Sequence, residues 1–247
     1  MDKSSRLDIS LEAQREAWNR WNATIRAKQI GKITERHAQL VEGEITRIGR
    51  QGLSIIEIGC GTGWMCDRLR KFGSVTGVDL SDEVLAQSRL KWPGIEFIAG
   101  DFMTLDLPAA RFDVVVAMDT LSHFADQAGF MERIARLLIP GGLFIVVTQN
   151  RPVLERWSAI PGPQPGQIRQ WVDHRKLRSL LARDFDEVRV SSTFPVGDQG
   201  LLRIVNSYKL NKVVNLFAGE ERIQRLKERA MLGHSLVGRA IKRVNAP

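Results

Sequence analysis

The sequence is poor in residue types that define whole classes of proteins. Its 247 residues include two cysteines, one tyrosine and four histidines. Cys60 and Cys66 lie six positions apart, so a disulfide between them would close little chain. Two cysteines and four scattered histidines build no zinc-binding pattern. We therefore expect neither a disulfide framework nor a structural metal site.

Long apolar runs are also missing. The most apolar windows, such as residues 143–148, are far shorter than the roughly 18 residues that a membrane-spanning helix needs. The N-terminus leads from Met1-Asp-Lys-Ser-Ser-Arg into polar helical sequence and lacks the apolar core of a signal peptide. These absences predict a cytoplasmic protein without a transmembrane segment.

Charge is spread unevenly along the chain. The formal net charge is +8, yet residues 51–150 carry 8 Lys and Arg against 12 Asp and Glu. Residues 151–247 carry 18 Lys and Arg against 9 Asp and Glu. Such a basic region could attract phosphates, an acidic acceptor or an anionic surface, and it could equally be a solvated face.

Hydrophobic periodicity predicts an α/β protein. Apolar residues recur at helical spacing over residues 11–47, where Gly31 can divide two helices. Short apolar runs then alternate with helical stretches, which is typical of βαβ units and a parallel sheet. The predicted strands are 53–58, 74–79, 95–98, 112–117, 143–148, 187–193 and 235–242. The predicted helices after residue 50 are 65–72, 82–91, 130–138, 171–181 and 220–231, with Ser81 as a cap and residues 140–142 as a stop.

A glycine-rich segment, Glu57-Ile-Gly59-Cys-Gly61-Thr-Gly63, ends the first predicted strand. Glycines at the junction of a strand and a helix let the backbone approach a ligand closely. The dinucleotide-binding fingerprint needs a glycine at position 64, where Trp64 stands, and a Walker loop needs Gly-Lys-Ser/Thr. The spacing of the glycines therefore disfavours NAD and ATP.

Four further motifs follow in order: Asp79 after the second strand, Gly100-Asp101-Phe102 after the third, and residues 111–118 and 137–142. This succession resembles the class I S-adenosylmethionine-dependent methyltransferases over residues 53–148. The resemblance implies a Rossmann-like, seven-stranded and mostly parallel sheet, with helices on both faces and an antiparallel last strand. It also implies S-adenosyl-L-methionine as cofactor and S-adenosyl-L-homocysteine as product.

The resemblance implies a role for individual residues. Asp79 would bind the ribose hydroxyls, and Asp101 and Phe102 would bind the adenine through its amine and its ring. The residues expected at the cofactor are Glu57, Gly59, Cys60, Gly61, Gly63, Trp64, Asp79, Leu80, Asp101, Phe102, Met118 and His123.

His123 is the candidate general base, because it lies just past the fourth strand, beside the expected methyl group. A structural or cofactor-flanking role for it stays open, and His37 and His234 have no context that assigns them a role. Asp119 and Asn150 could in principle hold Mg²⁺. A further acidic ligand is missing from Thr148-Gln-Asn150, so we predict no metal dependence.

The two ends of the chain are left to recognise the acceptor. We predict an N-terminal helical cap over residues 1–50 and a methyltransferase domain over residues 51–247. Residues 151–247 would contribute the acceptor-binding elements, with an insertion at about 194–232 before the last strand. The candidate acceptor contacts are Trp21, Arg26, Asp119, His174, Arg203 and Tyr208.

These patterns predict methyl transfer to an oxygen, or a nitrogen, of a small molecule such as a glycan or natural-product intermediate. The basic C-terminal third would suit an acidic acceptor. Two alternatives stay open: an RNA methyltransferase that uses the basic third as its footprint, and a partner subunit that binds the cofactor without catalysis. The insertion could also form a homodimer contact.

Overall fold

A computed structural model of the chain describes residues 9–24, 31–157, 162–195, 226 and 228–244. Its helices are α1 (Leu11–Thr24), α2 (Lys32–Thr46), α3 (Trp64–Leu69), α4 (Asp82–Lys91), α5 (Gln127–Leu137), α6 (Arg151–Trp157) and α7 (His174–Leu181). Its strands are β1 (Leu53–Ile58), β2 (Gly73–Asp79), β3 (Glu96–Ala99), β4 (Phe112–Met118), β5 (Leu138–Gln149), β6 (Phe185–Thr193) and β7 (Ser235–Lys242). None of these helices is both long and apolar enough to cross a membrane.

The strands form one seven-stranded sheet in the order β3-β2-β1-β4-β5-β7-β6. Strands β1 to β5 pair in parallel, whereas β7 runs antiparallel to both of its neighbours, β5 and β6. The predicted Rossmann-like sheet with an antiparallel last strand is therefore confirmed.

The core lies on both faces of the sheet, because successive residues of a strand point to opposite sides. In β4, Val115 and Ala117 pack into one core, and Val114 and Val116 pack into the other. All four are fully buried. Helices α5 and α7 cover the first face, and α2, α3 and α4 cover the second. This two-sided burial explains why β4 is apolar without alternation.

The strand order places a functional site. The chain moves outward from β1 through β2 to β3 and then returns to pair β4 with β1, for example at Ile58 and Ala117. Open α/β sheets bind ligands outside the carboxyl ends of the strands at such a reversal. The loops after β1 and β4 are therefore expected to face a shared site.

The two helices of the N-terminal segment pack in different places. Helix α2 packs flat against the sheet through Ala38, Val41 and Ile45. Helix α1 packs instead on α4, near the carboxyl ends of the strands. The described part of the predicted cap thus supplies one layer helix and one helix over the site.

Several predicted boundaries differ from the structure. Helix α6 was not predicted, α5 begins at Gln127 rather than Phe130, and α7 begins at His174, where the Asp173 side chain accepts a hydrogen bond from the Lys176 N–H. Residues 140–142 do not separate a helix from a strand. They bulge out within β5, because Phe112 pairs with Leu138 and Val114 pairs with Leu143.

The predicted cap residue Ser81 also behaves differently. It occupies the N-cap position of α4, yet its side chain makes no capping bond to that helix. Its hydroxyl donates instead to the Asn19 side chain of α1. The residue therefore ties α1 to the start of α4.

Candidate cofactor and acceptor site

The glycine segment after β1 turns back on itself in a conformation that only glycine adopts readily. Gly59, Gly61 and Gly63 have φ angles of 76°, 51° and 69°. A Cβ atom at Gly59 would lie 2.2 Å from the Oγ1 atom of Thr120. The loop after β1 and the segment after β4 thus approach each other more closely than any side chain at Gly59 would permit.

Asp79 holds this loop from the end of β2. One carboxylate oxygen accepts a hydrogen bond from the Gly61 N–H at 2.7 Å, and the other accepts one from the Ser81 N–H at 2.8 Å. These two bonds orient the carboxylate at the mouth of the glycine loop. An oriented carboxylate is the strong acceptor that a pair of ribose hydroxyls needs.

Helix α4 and strand β3 support the loop from behind. The Trp92 indole N–H donates to the Thr62 carbonyl at 2.9 Å. The Phe97 ring lies so close to Gly63 that a Cβ atom there would be 2.6 Å from it. These contacts therefore hold the glycine loop against α4 and β3.

Asp101 follows β3, as predicted, but its side chain bends back on its own loop. One carboxylate oxygen accepts a hydrogen bond from the Met103 N–H at 2.9 Å. The Asp101 carbonyl also accepts one from the Leu105 N–H at 3.0 Å. The half-buried residue is thus held at the carboxyl edge of the sheet, beside β2.

The Phe102 ring, expected to pack against the adenine, is turned towards the protein interior. Phe102 is only 3% exposed and packs edge-to-face on Phe124 and Phe130, at ring centroid distances of 6.1 and 5.3 Å. The Arg133 guanidinium lies 5.4 Å from the centroid of the same ring. The residue points inward because an aromatic core between β3 and α5 receives it.

Four other predicted cofactor residues also have buried side chains: Glu57, Cys60, Trp64 and Met118. Their backbone groups can bind a ligand, while their buried side chains pack beneath the glycine loop in the protein core. Leu80 is half-buried beside Asp79.

The two cysteines form part of this support. The Cys66 thiol donates to a Glu57 carboxylate oxygen at 3.0 Å. Burial raises the pKa of Cys60 to about 11 and raises the pKa of Cys66 well above its usual value. Both are therefore neutral thiols at physiological pH.

His123 lies under helix α1. Its Nδ1 atom is 2.9 Å from the Ile168 carbonyl oxygen, and because a carbonyl only accepts, Nδ1 carries the proton. The Trp18 ring packs edge-on against the imidazole at a centroid distance of 4.4 Å, and Trp21 packs on Trp18 at 6.4 Å. His123 thus joins the segment after β4 to the helix that covers the site.

A second polar group lies beside the glycine loop, at the end of β4. One Asp119 carboxylate oxygen lies 3.3 Å from His37 Nδ1, and the other accepts a hydrogen bond from the Gln149 amide at 3.3 Å. His234, in the loop before β7, lies near enough for Asp119 and His37 to act on it electrostatically. Burial and the His37 imidazole lower the pKa of His234, and the Asp119 carboxylate opposes them.

Sequence patterns missed His37 and His234. The two residues come from α2 and from the loop before β7, and only the folded sheet brings them to Asp119. His37 is 1% exposed, and its position among apolar residues of α2 was the available signal, since a histidine on a buried helix face needs a polar partner.

The remaining residues predicted to contact the acceptor are not gathered at one place within the described residues. His174 is half-buried at the start of α7. Arg26, Arg203 and Tyr208 lie outside the described residues, as does most of the predicted insertion. Within the described ranges, no three His, Cys, Asp or Glu side chains gather so that they could hold a metal ion.

The fold and the site together define a class of protein. A glycine loop after β1, an acid after β2 and an acid after β3 meet at the reversal point of a β3-β2-β1-β4-β5-β7-β6 sheet. This is a Rossmann-like α/β domain built to bind a nucleoside-containing cofactor. Residues 56–146 match a family described as "Methyltransferase domain". Over these residues the chain therefore resembles the class I S-adenosylmethionine-dependent methyltransferases, a family whose cofactor is S-adenosylmethionine.

Individual proteins similar to this chain also have methyltransferase names. The chain is 37% identical over 105 residues to a ubiquinone biosynthesis O-methyltransferase of Bradyrhizobium diazoefficiens, a match that covers 40% of this chain and 41% of that protein. It is 26% identical over 183 residues to the Coxiella burnetii protein of the same name, covering 65% of this chain and 77% of that one. The first curated relatives are thus matched over about two fifths of their length.

A solved structure extends the likeness in fold to almost the whole chain. The N-methyltransferase NodS of Bradyrhizobium japonicum, in complex with S-adenosylhomocysteine, superposes with a TM-score of 0.62 at 15% identity. The match covers 93% of this chain and 98% of that one. At this identity the likeness concerns the fold alone.

Proposed function

We propose that the protein is an S-adenosylmethionine-dependent methyltransferase that methylates an oxygen of a small molecule. The proposal rests mainly on one observation: the glycine loop after β1 and the polar residues after β4 adjoin each other where the strand order of the sheet reverses. The glycine loop, hydrogen-bonded to Asp79, forms the cofactor side of the site. Asp119, paired with His37, precedes Thr120 in the chain, and the Thr120 side chain lies against that loop.

The cofactor supplies an activated methyl group when bound, so the protein has mainly to align the acceptor and remove its proton. Asp79 and the glycine backbone can hold the nucleoside part. Helix α1, through Trp18 and His123, can cover the site and exclude water. A hydroxyl acceptor must lose a proton during transfer, and the histidine and carboxylate side chains after β4 are groups that can receive one.

Two observations favour a small hydroxyl-bearing acceptor over RNA. The curated relatives named above carry the name ubiquinone biosynthesis O-methyltransferase. In addition, three arginines of the C-terminal third form ion pairs within the chain: Arg151 with Asp173, Arg239 with Glu44 and Glu187, and Arg243 with Asp186. Cations paired in this way contribute less to a phosphate-binding surface.

The first test is calorimetric titration with S-adenosylhomocysteine, with NADH as control. We expect micromolar or tighter binding of the former alone. Radiolabelled S-adenosylmethionine should then transfer label to a phenol or sugar hydroxyl in an acceptor panel that also contains primary amines and total RNA. Preferential binding of NADH would overturn the cofactor class. Label transfer to RNA alone would replace the proposed acceptor class.

A further inference from the structure

His37 is a buried histidine with a partner on only one of its ring nitrogens. It is 1% exposed in α2, and its Nδ1 atom lies 3.3 Å from an Asp119 carboxylate oxygen. Its Nε2 atom is buried without a hydrogen-bond partner. Buried polar atoms are satisfied in the great majority of cases, so an orphaned ring nitrogen beside a candidate site needs an explanation.

Asp119 is held in a special conformation that keeps it against His37. Its φ angle is 58°, in the left-handed region that Asp adopts more readily than most residues with a side chain. Its N–H donates to the Val147 carbonyl at 2.8 Å, and Gln149 donates to its second carboxylate oxygen. Two residues of β5 therefore help to determine where this carboxylate points.

The pair lies next to the cofactor side of the site. Thr120 follows Asp119 directly, and its side chain fills the space in front of Gly59. The Thr120 hydroxyl donates to the Met118 carbonyl, which fixes this segment on β4. A group that removes a proton from the acceptor has to lie within hydrogen-bond reach of it, so a base next to the cofactor loop is suitably placed.

The partner of each histidine decides what its imidazole can do. A carboxylate accepts the Nδ1 proton, leaves the lone pair on Nε2 and stabilises the imidazolium once Nε2 takes up a proton. His37 has such a partner in Asp119. His123 has the neutral Ile168 carbonyl, which fixes its tautomer but stabilises a positive charge less.

We infer that His37 is the general base of the methyl transfer and that Asp119 is the residue that positions it. The inference rests on the proposed function and assigns the proton-accepting role within it. The acceptor proton passes to His37 Nε2 while an oxygen electron pair forms the new bond to the methyl carbon. The carbon–sulfur bond breaks, and its electron pair stays on sulfur. The imidazolium then releases its proton to water.

Among the described residues, two titratable side chains of other elements interact with His37. The Asp119 carboxylate at the end of β4 lies 3.3 Å from its Nδ1 atom, and the His234 imidazole before β7 interacts with it electrostatically. The end of β5 presents the neutral side chains of Thr148, Gln149 and Asn150. Since burial lowers the pKa of His234 below 6.5, that imidazole is neutral near pH 7.

The test compares His37→Gln and Asp119→Asn with Val41→Ala. Val41 lies one turn after His37 on the same buried face of α2, so its truncation loosens that helix without removing a polar group. Binding of S-adenosylhomocysteine should stay within about twofold of wild type in all three variants. With 3,4-dihydroxybenzoate as probe acceptor, kcat should fall about 100-fold or more in His37→Gln, and the acid limb of its pH profile should disappear. Val41→Ala should keep that limb.

A second readout needs no acceptor. The chain has four histidines, so long-range ¹⁵N spectra of the wild type and of single variants can assign each imidazole. We expect the Nδ1-protonated tautomer for His37 and a redistribution of tautomers in Asp119→Asn. An Nε2-protonated His37, or a kcat and pH profile in His37→Gln that match those of Val41→Ala, would overturn the assignment.

The same data separate this inference from the proposed function. If the wild type binds S-adenosylhomocysteine but leaves every hydroxyl acceptor unmethylated, the acceptor proposal fails, and the tautomer of His37 still decides the pairing with Asp119. If the wild type is active and only His123→Gln loses the acid limb, the proposed function stands, and His123 replaces His37 as the base.

Discussion

The Asp79 carboxylate accepts a hydrogen bond from the backbone N–H of Gly61 at 2.7 Å. This single bond joins the end of β2 to the loop after β1. It therefore couples the residue expected to hold the ribose to the backbone expected to surround the rest of the cofactor. A change at Asp79 should affect both the ligand contact and the shape of the loop.

We expect Asp79→Ala to weaken S-adenosylhomocysteine binding by about 1.5–3 kcal/mol, the scale of a hydrogen bond to a charged group. Asp79→Asn keeps one acceptor oxygen and should lose less. Calorimetry on the three proteins measures the series. Equal affinities across it would remove Asp79 from the cofactor site.

Gly59→Ala should disturb the site, because the new Cβ would meet Thr120 and the backbone has a φ angle of 76°. The left-handed conformation alone costs a residue with a side chain roughly 1–2 kcal/mol. We expect a lower Tm and at least a tenfold loss of S-adenosylhomocysteine affinity.

Gly43→Ala is the matched control for this change. Gly43 is exposed within α2, and its Cβ would meet nothing within 4 Å. This replacement should raise stability by about 0.5–1 kcal/mol, because alanine loses less conformational freedom in a helix. Similar effects of the two replacements would contradict the close approach of the loops.

Trp18→Ala should loosen helix α1 over the site. The ring packs at 4.4 Å on His123, and an aromatic pair contributes about 0.5–1.5 kcal/mol beyond its buried area. We expect S-adenosylhomocysteine to dissociate roughly 3- to 10-fold faster in stopped-flow experiments. Leu11→Ala, at an exposed position of the same helix, should leave the dissociation rate unchanged. A rate unaffected by Trp18→Ala would show that α1 does not cover the ligand.

His234 should make stability depend on pH. Burial lowers its pKa from the usual value of 6.5, so the unfolded chain binds its proton more readily than the folded protein does. Its stabilising effect is therefore present above pH 6.5 and is lost as pH falls through the folded pKa. Melting curves between pH 5 and 8 should show a smaller acid loss for His234→Asn than for wild type. A parallel pH dependence of the two proteins would place the acid sensitivity elsewhere.

Much of the cofactor side was predictable from local sequence. The glycine spacing between positions 59 and 63 and the acids at positions 79 and 101 stand at strand ends, and a parallel sheet brings such ends to one edge. The orientation of the Phe102 ring was not predictable in this way, because the side to which a ring turns depends on its neighbours. Here Phe130, 28 residues further along the chain, supplies the pocket.

The sequence by itself determined the succession of the seven strands, the two-sided burial of β4 and the chemistry of the glycine loop, because these depend on residue types at short spacing. Only the tertiary structure decided the partners of the histidines. His37 and Asp119 are 82 positions apart, and no local pattern at either residue predicts the other as its partner. Their pairing follows from helix α2 packing across β4 and β5, since burial of an imidazole is favourable only where a polar partner meets it.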